Sequence, residues 1–338
     1  MVWRAGTSAF DNSHVRAAAY SGSKYVAVGA GRIASSTNGV TWTENTAQKS
    51  NWANPNDYVD FYGIAYGGGK FVAVGYWANG DGGAGWGVAA VSADDGVTWT
   101  MQANVLSFGG ETISPKIYGI TFGNGKFVAV GRWGRSAYSA NGSSWTAAQI
   151  GSFNYLDNPL YYEDALSVAH GDGKFVVVGR NGKVAFSGDA AIDWKWVANA
   201  LIGIKDINSI AFGNNTFIAA GNGGGLMRVA SSQVVEGTGD NGGNNWEAVD
   251  GKFDTTHIFG VAYGGAAGVN RFIAVGDNGK MSESPDGATW TAINTGTGAT
   301  QNQFTGEERI NCVISGGGKF IAGGNAYSGN ASKIVYSE

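Results

Sequence analysis

The chain has 338 residues, which is long for one ordinary domain, and 43% of them are hydrophobic, which excludes a disordered chain. Only 14% are charged, and the net charge of −4 gives no electrostatic reason to bind nucleic acid or an anionic membrane. Cys312 is the only cysteine, which excludes an intrachain disulfide framework and a cysteine-based metal site.

Four short strands are predicted in the first unit that follows the N-terminal segment. Residues 17–29 contain two of them around a glycine-containing turn. Residues 32–35 form a third, and the turn at Asn38-Gly39 leads to a fourth at Thr41-Trp42-Thr43. Asn-Gly between alternating runs favours a tight hairpin, because both residues tolerate positive φ.

The same phrase returns along the chain: an apolar strand, a glycine-rich turn and a strand close to Lys-Phe-Val-Ala-Val-Gly. Its copies cover residues 17–29, 62–75, 118–131, 166–179, 208–221, 259–276 and 311–324. The glycines that close them lie 46, 56, 48, 42, 55 and 48 residues apart. This period matches one four-stranded propeller blade. We therefore predict an all-β chain that forms one seven-bladed β-propeller domain of four-stranded antiparallel blades.

Most units end in a tryptophan strand, whose ring is expected to pack one blade against the next. Trp194 or Trp196 fills this place in unit four, and Trp246 follows an insertion over 233–245 in unit five. The last unit lacks this strand, and Val2-Trp3-Arg4 supplies it. We predict a ring closed by the N-terminal strand, with an open array of seven sheets as the alternative. The predicted blades span about 17–45, 62–102, 118–147, 166–198, 208–249, 259–293, and 311–338 with 2–5.

Ser92 to Trp99 reads S-x-D-x-G-x-T-W. This segment resembles the Asp-box of bacterial neuraminidase-type repeats, which is a structural hairpin in that family and not a catalytic motif. The whole chain resembles Asp-box propellers and, more loosely, kelch propellers. Arrays of this kind also resemble proteins found in phage virions, and that resemblance implies a structural role in a tail or capsid.

Long segments collect on one face of the predicted ring. Second-to-third turns and blade connections share that face, and they include the long segments 44–61, 76–87, 101–117, 147–165 and 292–309. Insertions concentrated on one face mark it as the binding face. Aromatic residues beside carboxylates suit stacking on a sugar or anchoring a protein. The candidate ligand-binding residues are Trp52, Tyr58, Tyr76, Trp77, Trp86, Trp133, Tyr155, Tyr161, Tyr162, Asp81 and Asp157.

For any single aromatic residue of this set, packing of its loop onto the ring is the competing interpretation. The adjacent carboxylates Glu163 and Asp164 would suit a general acid and base, but such a pair in a loop is more often a solvated turn. The three histidines are too scattered to predict a metal site. The lysines repeated at hairpin turns are interpreted as solvated tips, and Cys312 as a buried thiol.

These features favour a non-catalytic binding or structural propeller, without cofactor or metal, that presents its loop face to a surface glycan or a protein partner in a larger assembly. A phage virion component, such as tail or capsid decoration, is its most specific form. The alternatives are a carbohydrate-binding lectin or surface adhesin, and a sialidase-like glycoside hydrolase. The Arg-Ile-Pro signature of sialidases is absent, since Asn311 follows Arg309-Ile310. We expect a soluble protein, since the N-terminus lacks an apolar signal-like stretch, with no nucleic-acid partner and no membrane insertion.

Overall fold

The computed structural model describes most of the chain. The described residues are 1–11, 13–45, 58–78, 85–103, 105–106, 115–155, 158–188, 191–197, 206–236, 245–266, 269–296, 303–326 and 332–338. Trp52, Asp81 and Asp157 lie outside them.

Seven sheets of four strands follow one another along the chain. The N-terminal strand is β1 (Trp3–Ala5), and blade 1 contains β2 (Val15–Tyr20), β3 (Tyr25–Gly29), β4 (Arg32–Ser36) and β5 (Thr43–Glu44). Blade 2 contains β6 (Tyr58–Gly67), β7 (Lys70–Ala78), β8 (Trp86–Ser92) and β9 (Thr100–Ala103). Blade 3 contains β10 (Ile117–Gly123), β11 (Lys126–Gly131), β12 (Arg135–Ser139) and β13 (Thr146–Gln149), and a separate hairpin of β14 (Asn154–Tyr155) and β15 (Asn158–Tyr162) precedes blade 4.

Blade 4 contains β16 (Ala165–Gly171), β17 (Lys174–Gly179), β18 (Val184–Ser187) and β19 (Lys195–Trp196). Blade 5 contains β20 (Ile207–Gly213), β21 (Thr216–Gly221), β22 (Leu226–Ala230) and β23 (Glu247–Ala248). Blade 6 contains β24 (Ile258–Ala266), β25 (Val269–Gly276), β26 (Met281–Ser284) and β27 (Thr291–Ile293). Blade 7 contains β28 (Glu308–Gly316), β29 (Lys319–Ala326) and β30 (Lys333–Ser337). Short 3-10 segments lie at Arg132–Gly134, Gly151–Phe153, Arg180–Gly182, Asn222–Gly224, Ser231–Gln233 and Asp277–Gly279.

The seventh sheet joins the two ends of the chain. Its order is β1-β30-β29-β28, and Trp3 faces Ser337 in antiparallel register. The innermost strands β2 and β28 are also in contact, so blade 7 lies beside blade 1. The predicted fold class is therefore confirmed: an all-β, seven-bladed ring in which the N-terminal strand completes the last blade.

The hydrophobic core is divided among the blade interfaces. Each of seven buried clusters joins residues of two neighbouring blades. Between blades 1 and 2, for example, Val26 and Val28 pack with Phe71 and Trp99. The tryptophan strands thus bury their rings between blades, as predicted. In blade 4, Trp194 packs against the core and Trp196 is 39% exposed, so Trp194 takes this role.

A β-bulge occurs near the start of every innermost strand. One residue of each is skipped in the register with the second strand: Arg16, Tyr62, Tyr118, Leu166, Asn208, Phe259 and Asn311. A bulge re-aims a side chain and bends its strand. The glycine that closes the second strand is required here, because a Cβ on Gly75 would lie 2.0 Å from the Asp60 carbonyl oxygen. The backbone near the bulge therefore requires glycine at the end of the second strand.

At the opposite end of the innermost strands, an aromatic ring of one blade rests on a glycine of the preceding blade. A Cβ on Gly67 would lie 2.0 Å from the Phe122 ring, and one on Gly213 would lie 1.9 Å from the Tyr263 ring. Each ring also contacts a ring of its own blade, such as Phe127 beside Phe122 at 4.8 Å between centroids. We call these contacts between blades the glycine belt of the propeller. Each of them requires glycine at the end of the innermost strand.

The turn between the third and fourth strands repeats one hydrogen-bonded corner. In blade 2, the Asp94 carboxylate accepts from the backbone N–H groups of Val97 and Thr98, and Trp99 Nε1 donates to the Gly96 carbonyl at 3.2 Å. Asn38, Asn141 and Asp286 occupy the Asp94 position in blades 1, 3 and 6 and accept in the same way. This corner fixes the tryptophan ring against the turn.

Lysines of the first hairpins join neighbouring blades. The Nζ atoms of Lys70, Lys174 and Lys319 donate to main-chain carbonyls of Asn141, Ser231 and Asn38 at 3.2, 2.8 and 3.3 Å. Each acceptor lies in the next blade around the ring. The interpretation of these lysines as solvated tips was therefore wrong for these three residues, because each long side chain reaches a turn carbonyl of the next blade.

Candidate binding face at the channel mouth

The ring encloses a central channel with a cavity of about 230 Å³. The bulge residues lie on its wall, at the end where the innermost strands begin. We call this end the mouth face and the opposite end, where the hairpins between first and second strands lie, the hairpin face. The described parts of the blade connections and of the turns between second and third strands also lie on the mouth face.

Arg16 and Asp60 form a two-point ion pair between blades 1 and 2 at the mouth. Arg16 Nε donates to Asp60 Oδ1 at 2.9 Å, and Nη2 donates to Oδ2 at 2.7 Å. The Asp60 side chain is 4% exposed, so the bidentate arginine is what compensates for its burial. Arg16 also lies 4.9 Å from the Tyr62 ring centroid. Burial and then the Asp60 charge raise the pKa values of both Tyr58 and Tyr62.

A second network joins blades 3, 4 and 5. Arg180 Nε donates to Asp164 Oδ2 at 3.1 Å, and Arg180 Nη1 lies 3.4 Å from Asp206 Oδ2. Burial, followed by the Asp164 charge, raises the pKa of Tyr118 to about 12. Tyr118 in turn packs edge-on against Tyr62 at 5.6 Å. The two networks are therefore continuous around this part of the mouth.

In blades 3, 4 and 5, the turn between the second and third strands donates a backbone N–H to a side chain of the next blade. The N–H of Trp133 donates to Asp164 Oδ1 at 3.0 Å, that of Asn181 to Asp206 Oδ1 at 3.2 Å, and that of Gly223 to His257 Nδ1 at 3.0 Å. All three donors have left-handed backbone conformation, with φ between 52° and 71°. Asparagine and glycine tolerate it, whereas a bulky residue such as Trp133 is strained by roughly 1–2 kcal/mol.

Blade 3 contributes a basic and aromatic corner. Lys116 Nζ lies 4.9 Å from the Tyr76 ring centroid, and Arg132 Cζ lies 4.9 Å from the Trp133 ring. The Arg132 N–H donates to the Lys116 carbonyl at 2.9 Å, which holds the two cationic residues side by side. We call Tyr76, Lys116, Arg132 and Trp133 the blade 3 corner.

Blade 2 extends above this corner. Its strands continue beyond the closing Gly75, and Trp77 pairs with Trp86 across β7 and β8. The two rings stack with centroids 4.5 Å apart and planes inclined by 23°. Both side chains are partly exposed. Trp77 also packs against the core between blades 1 and 2, so the pair lies on the opposite side of blade 2 from Tyr76 and Lys116. Large, partly exposed rings suit recognition.

The predicted ligand-binding residues divide into four groups. Tyr76 and Trp133 belong to the blade 3 corner. Trp77 and Trp86 stack on the opposite side of blade 2, where Trp77 packs against the core between blades 1 and 2. Tyr58 lies on the same face but is grouped with Asp60 and Tyr62, and it is 51% exposed. Tyr155, Tyr161 and Tyr162 belong to the β14–β15 hairpin, whose second strand contacts the turn that contains Trp133.

Sequence reasoning missed the polar residues of the mouth. Arg16, Lys116, Arg132 and Arg180 were not predicted, because the candidates were chosen among the aromatic and acidic residues of the long segments. A usable signal exists, since the residues at the bulge and just after the closing glycine vary among the units while their neighbours repeat. Glu163 and Asp164 both have structural partners: Glu163 accepts from Asn181 Nδ2 at 2.5 Å and Asp164 pairs with Arg180.

Within the described residues, no group of three or more histidine, cysteine, aspartate or glutamate side chains is arranged to hold a metal ion. Cys312 is buried, as predicted, and burial raises the pKa of its thiol to about 12. In the part of the chain that the structure describes, no helix is long and apolar enough to span a membrane.

Comparison with solved structures places the fold among seven-bladed propellers. YCF48 from Cyanidioschyzon merolae is similar over 99% of this chain and 98% of its own, with a TM-score of 0.67 and 16% identity. A structure of YCF48 bound to D1 peptide gives a TM-score of 0.67 and 13% identity, covering 99% of this chain and 95% of that one. The WD40 propeller domain of Doa1 gives 0.62 and 13%, covering 100% and 97%. No protein-family model and no curated protein sequence matches the chain.

Proposed function

We propose that this propeller is a non-catalytic binding scaffold that presents its mouth face to a protein partner in a larger assembly. The observation that carries the proposal is the mouth end of blade 2, where the stacked Trp77 and Trp86 lie on the side of blade 1 and the blade 3 corner lies on the opposite side. Aromatic and basic residues of this kind dominate the binding energy of protein interfaces. One solved propeller of the same fold is bound to a peptide, which supports a peptide-binding role by analogy.

Two features support a role without catalysis. The mouth arginines Arg16, Arg180 and Arg309 are each ion-paired with an aspartate. A sialidase-like enzyme would instead need its arginine cluster available for the substrate carboxylate. The carboxylates themselves are engaged by these arginines and by backbone N–H groups, which opposes their use as general acid and base.

The assembly we propose is a phage virion, in which the propeller decorates a tail or capsid. The support is the resemblance to Asp-box and virion propellers, together with the corner that recurs in blades 1, 2, 3 and 6. Rigid corners of this kind suit a scaffold that holds its loops in fixed positions.

A lectin is the second candidate, and the Trp77–Trp86 pair favours it specifically. Two stacked indoles leave flat outer faces of the kind on which a pyranose ring packs. A glycan ligand would therefore be expected to contact the same blade 2 extension.

A selection experiment distinguishes the two candidates. A random-peptide display library and a glycan array would each be screened with the wild-type chain, a Trp77→Ala/Trp86→Ala variant and a Trp196→Ala control. Trp196 is 39% exposed but lies on the outermost strand of blade 4, away from the mouth. Peptide binding that falls more than about tenfold only in the double variant supports the protein-binding proposal. Glycan binding with the same dependence supports the lectin, and equal losses in the control refute both.

A further inference from the structure

Blade 3 places two cations where blade 4 places opposite charges. The residue two positions before the bulge and the residue after the closing glycine are Asp164 and Arg180 in blade 4, but Lys116 and Arg132 in blade 3. The backbone contact is the same in both blades, with N–H to carbonyl distances of 3.0 Å and 2.9 Å. Like charges held at adjacent positions repel each other, which costs free energy that an anion between them would offset.

Neither cation of blade 3 has a carboxylate partner among the described residues. The contacts of Lys116 Nζ and of the Arg132 guanidinium there are with the rings of Tyr76 and Trp133. The Asp164 carboxylate already accepts from Arg180 and from the Trp133 N–H. Among the described residues, no carboxylate therefore pairs with the two cations of the blade 3 corner.

Trp133 supplies an independent sign of function. It has φ of 61° and ψ of 31° at a position where blades 4, 5 and 6 carry Asn181, Gly223 and Asn278. A residue that tolerates the left-handed conformation would satisfy the turn without strain. Trp133 instead keeps this strained backbone conformation. Its ring lies beside Arg132, and its main-chain carbonyl accepts from Gln149 Nε2 at 2.8 Å.

We infer that the blade 3 corner is an anion subsite that takes the carboxylate groups of an acidic peptide segment. The inference rests on the proposed protein-binding function and specifies the chemistry of the partner. Lys116 and Arg132 pair with aspartate or glutamate side chains, and the Trp133 ring packs the intervening apolar or aromatic side chains.

A neutral glycan does not fit this corner. Sugar hydroxyls are held chiefly by carboxylate and amide oxygens, and here Asp60 and Asp164 are engaged by Arg16 and Arg180. The groups that remain available in the described part of the corner are cations and rings. An acidic peptide offers both carboxylates and apolar side chains, so it matches these groups better.

Fluorescence anisotropy with defined peptide pools tests the inference. One labelled nonapeptide pool contains Glu, Asp, Tyr, Leu and Gly, and its matched pool contains Gln and Asn in place of the acids. We expect the acidic pool to bind at least about tenfold more tightly at 20 mM than at 300 mM salt, roughly the scale of a few screened ion pairs. We expect Lys116→Gln and Arg132→Gln each to weaken it by about tenfold or more.

The control is Lys24→Gln, which removes the same charge from the hairpin face and should leave binding within about twofold. Melting temperatures of all variants would confirm that the fold is intact. Equal binding of the acidic and neutral pools, or preference for an acidic polysaccharide such as polygalacturonate, would overturn the inference. If display-selected peptides bind through Trp77 and Trp86 but are insensitive to Lys116→Gln and Arg132→Gln, the proposed function stands and only the anion subsite is refuted.

Discussion

The hairpin face and the mouth face are formed by the same seven repeats, yet they differ in how much each blade varies. On the hairpin face, blades 1, 2, 3 and 6 share one corner with the same hydrogen bonds. On the mouth face, the seven bulge positions carry arginine, tyrosine, leucine, asparagine and phenylalanine. Repetition thus serves packing on one face, and the other face varies where we propose that a partner binds.

The pairing of β1 with β30 within blade 7, which we call the seam, gives the largest expected effect on stability. There the chain ends replace the hairpin turn, and Trp3 is 1% exposed between blades 6 and 7, among Phe304, Phe320 and Val335. Its Nε1 has no acceptor among the described residues, whereas Trp99 Nε1 donates to the Gly96 carbonyl. The seam therefore depends on apolar packing and on the backbone pairing of β1 with β30.

We expect Trp3→Ala to lower the free energy of unfolding by about 3–5 kcal/mol, because it leaves a cavity at the strand that closes the ring. The measurement is thermal or urea unfolding together with the rate of thiol labelling at Cys312, which is buried beside this seam with Val15 and Ile334. Faster labelling under native conditions would show local opening of the ring. The exposed Trp196→Ala serves as control, and equal effects of the two substitutions would contradict the importance of the seam.

The glycine belt on the hairpin face predicts the next largest effect. In Gly213→Ala the new Cβ would lie 1.9 Å from the Tyr263 ring, which is itself held against Phe272 at 4.6 Å. Since that ring has little freedom to move, we expect a loss of about 3 kcal/mol in the free energy of unfolding, at the upper end for overpacking.

Gly188→Ala is the matched control, because nothing lies within 4 Å of a Cβ at that position. Urea unfolding of both variants would measure the difference. A Gly213→Ala protein as stable as Gly188→Ala would show that the belt adjusts freely, and the requirement for glycine at the strand ends would then be wrong.

The sequence was sufficient for features that repeat and insufficient for those that do not. Seven closing glycines and the displaced Trp3 strand predicted the number of blades and the closure, because every unit must solve the same packing problem. The bulge was not predicted, since one extra residue changes the alternation locally without changing the repeat. The pairing of Arg180 with Asp164, and the two cations at the equivalent positions Lys116 and Arg132, become visible only when the bulge fixes which residues of a unit lie side by side. The repeated phrase alone does not give that register.

The hydrogen-bonded turn around Asp94 predicts that the free energy of unfolding depends moderately on pH. Although burial acts to raise it, hydrogen bonds from the Thr98 side chain and backbone, from Ser92 and from Val97 lower the pKa of Asp94 to about 2, from 3.8. A carboxyl whose pKa is lower in the folded state stabilises the protein above the unfolded pKa. That contribution is lost as the pH falls from about 4 towards 2.

Asp94→Asn tests this effect, since Asn38 and Asn141 already form the same corner in blades 1 and 3. We expect the variant to be less stable than the wild type at pH 7 by no more than about 1 kcal/mol, because the exposed carboxylate is screened by solvent. The difference should disappear near pH 2. Melting temperatures between pH 2 and 7 would show it, and a constant difference across that range would contradict the linkage to Asp94.

The mouth face predicts the smallest effect on stability, and it concerns the contrast between blades 3 and 4. Arg180→Gln breaks contacts to Asp164 and Asp206, and because Arg180 is 47% exposed we expect the free energy of unfolding to fall by about 0.5–1 kcal/mol.

Lys116→Gln removes one of two like charges, so loss of its contact with Tyr76 is offset by relief of repulsion. Its effect on stability should be within about 0.3 kcal/mol of zero. Urea unfolding at low and high salt would measure both, and salt should reduce the loss in Arg180→Gln. If Lys116→Gln were as destabilising as Arg180→Gln, Lys116 would hold the fold together, and its availability for a partner would have to be abandoned.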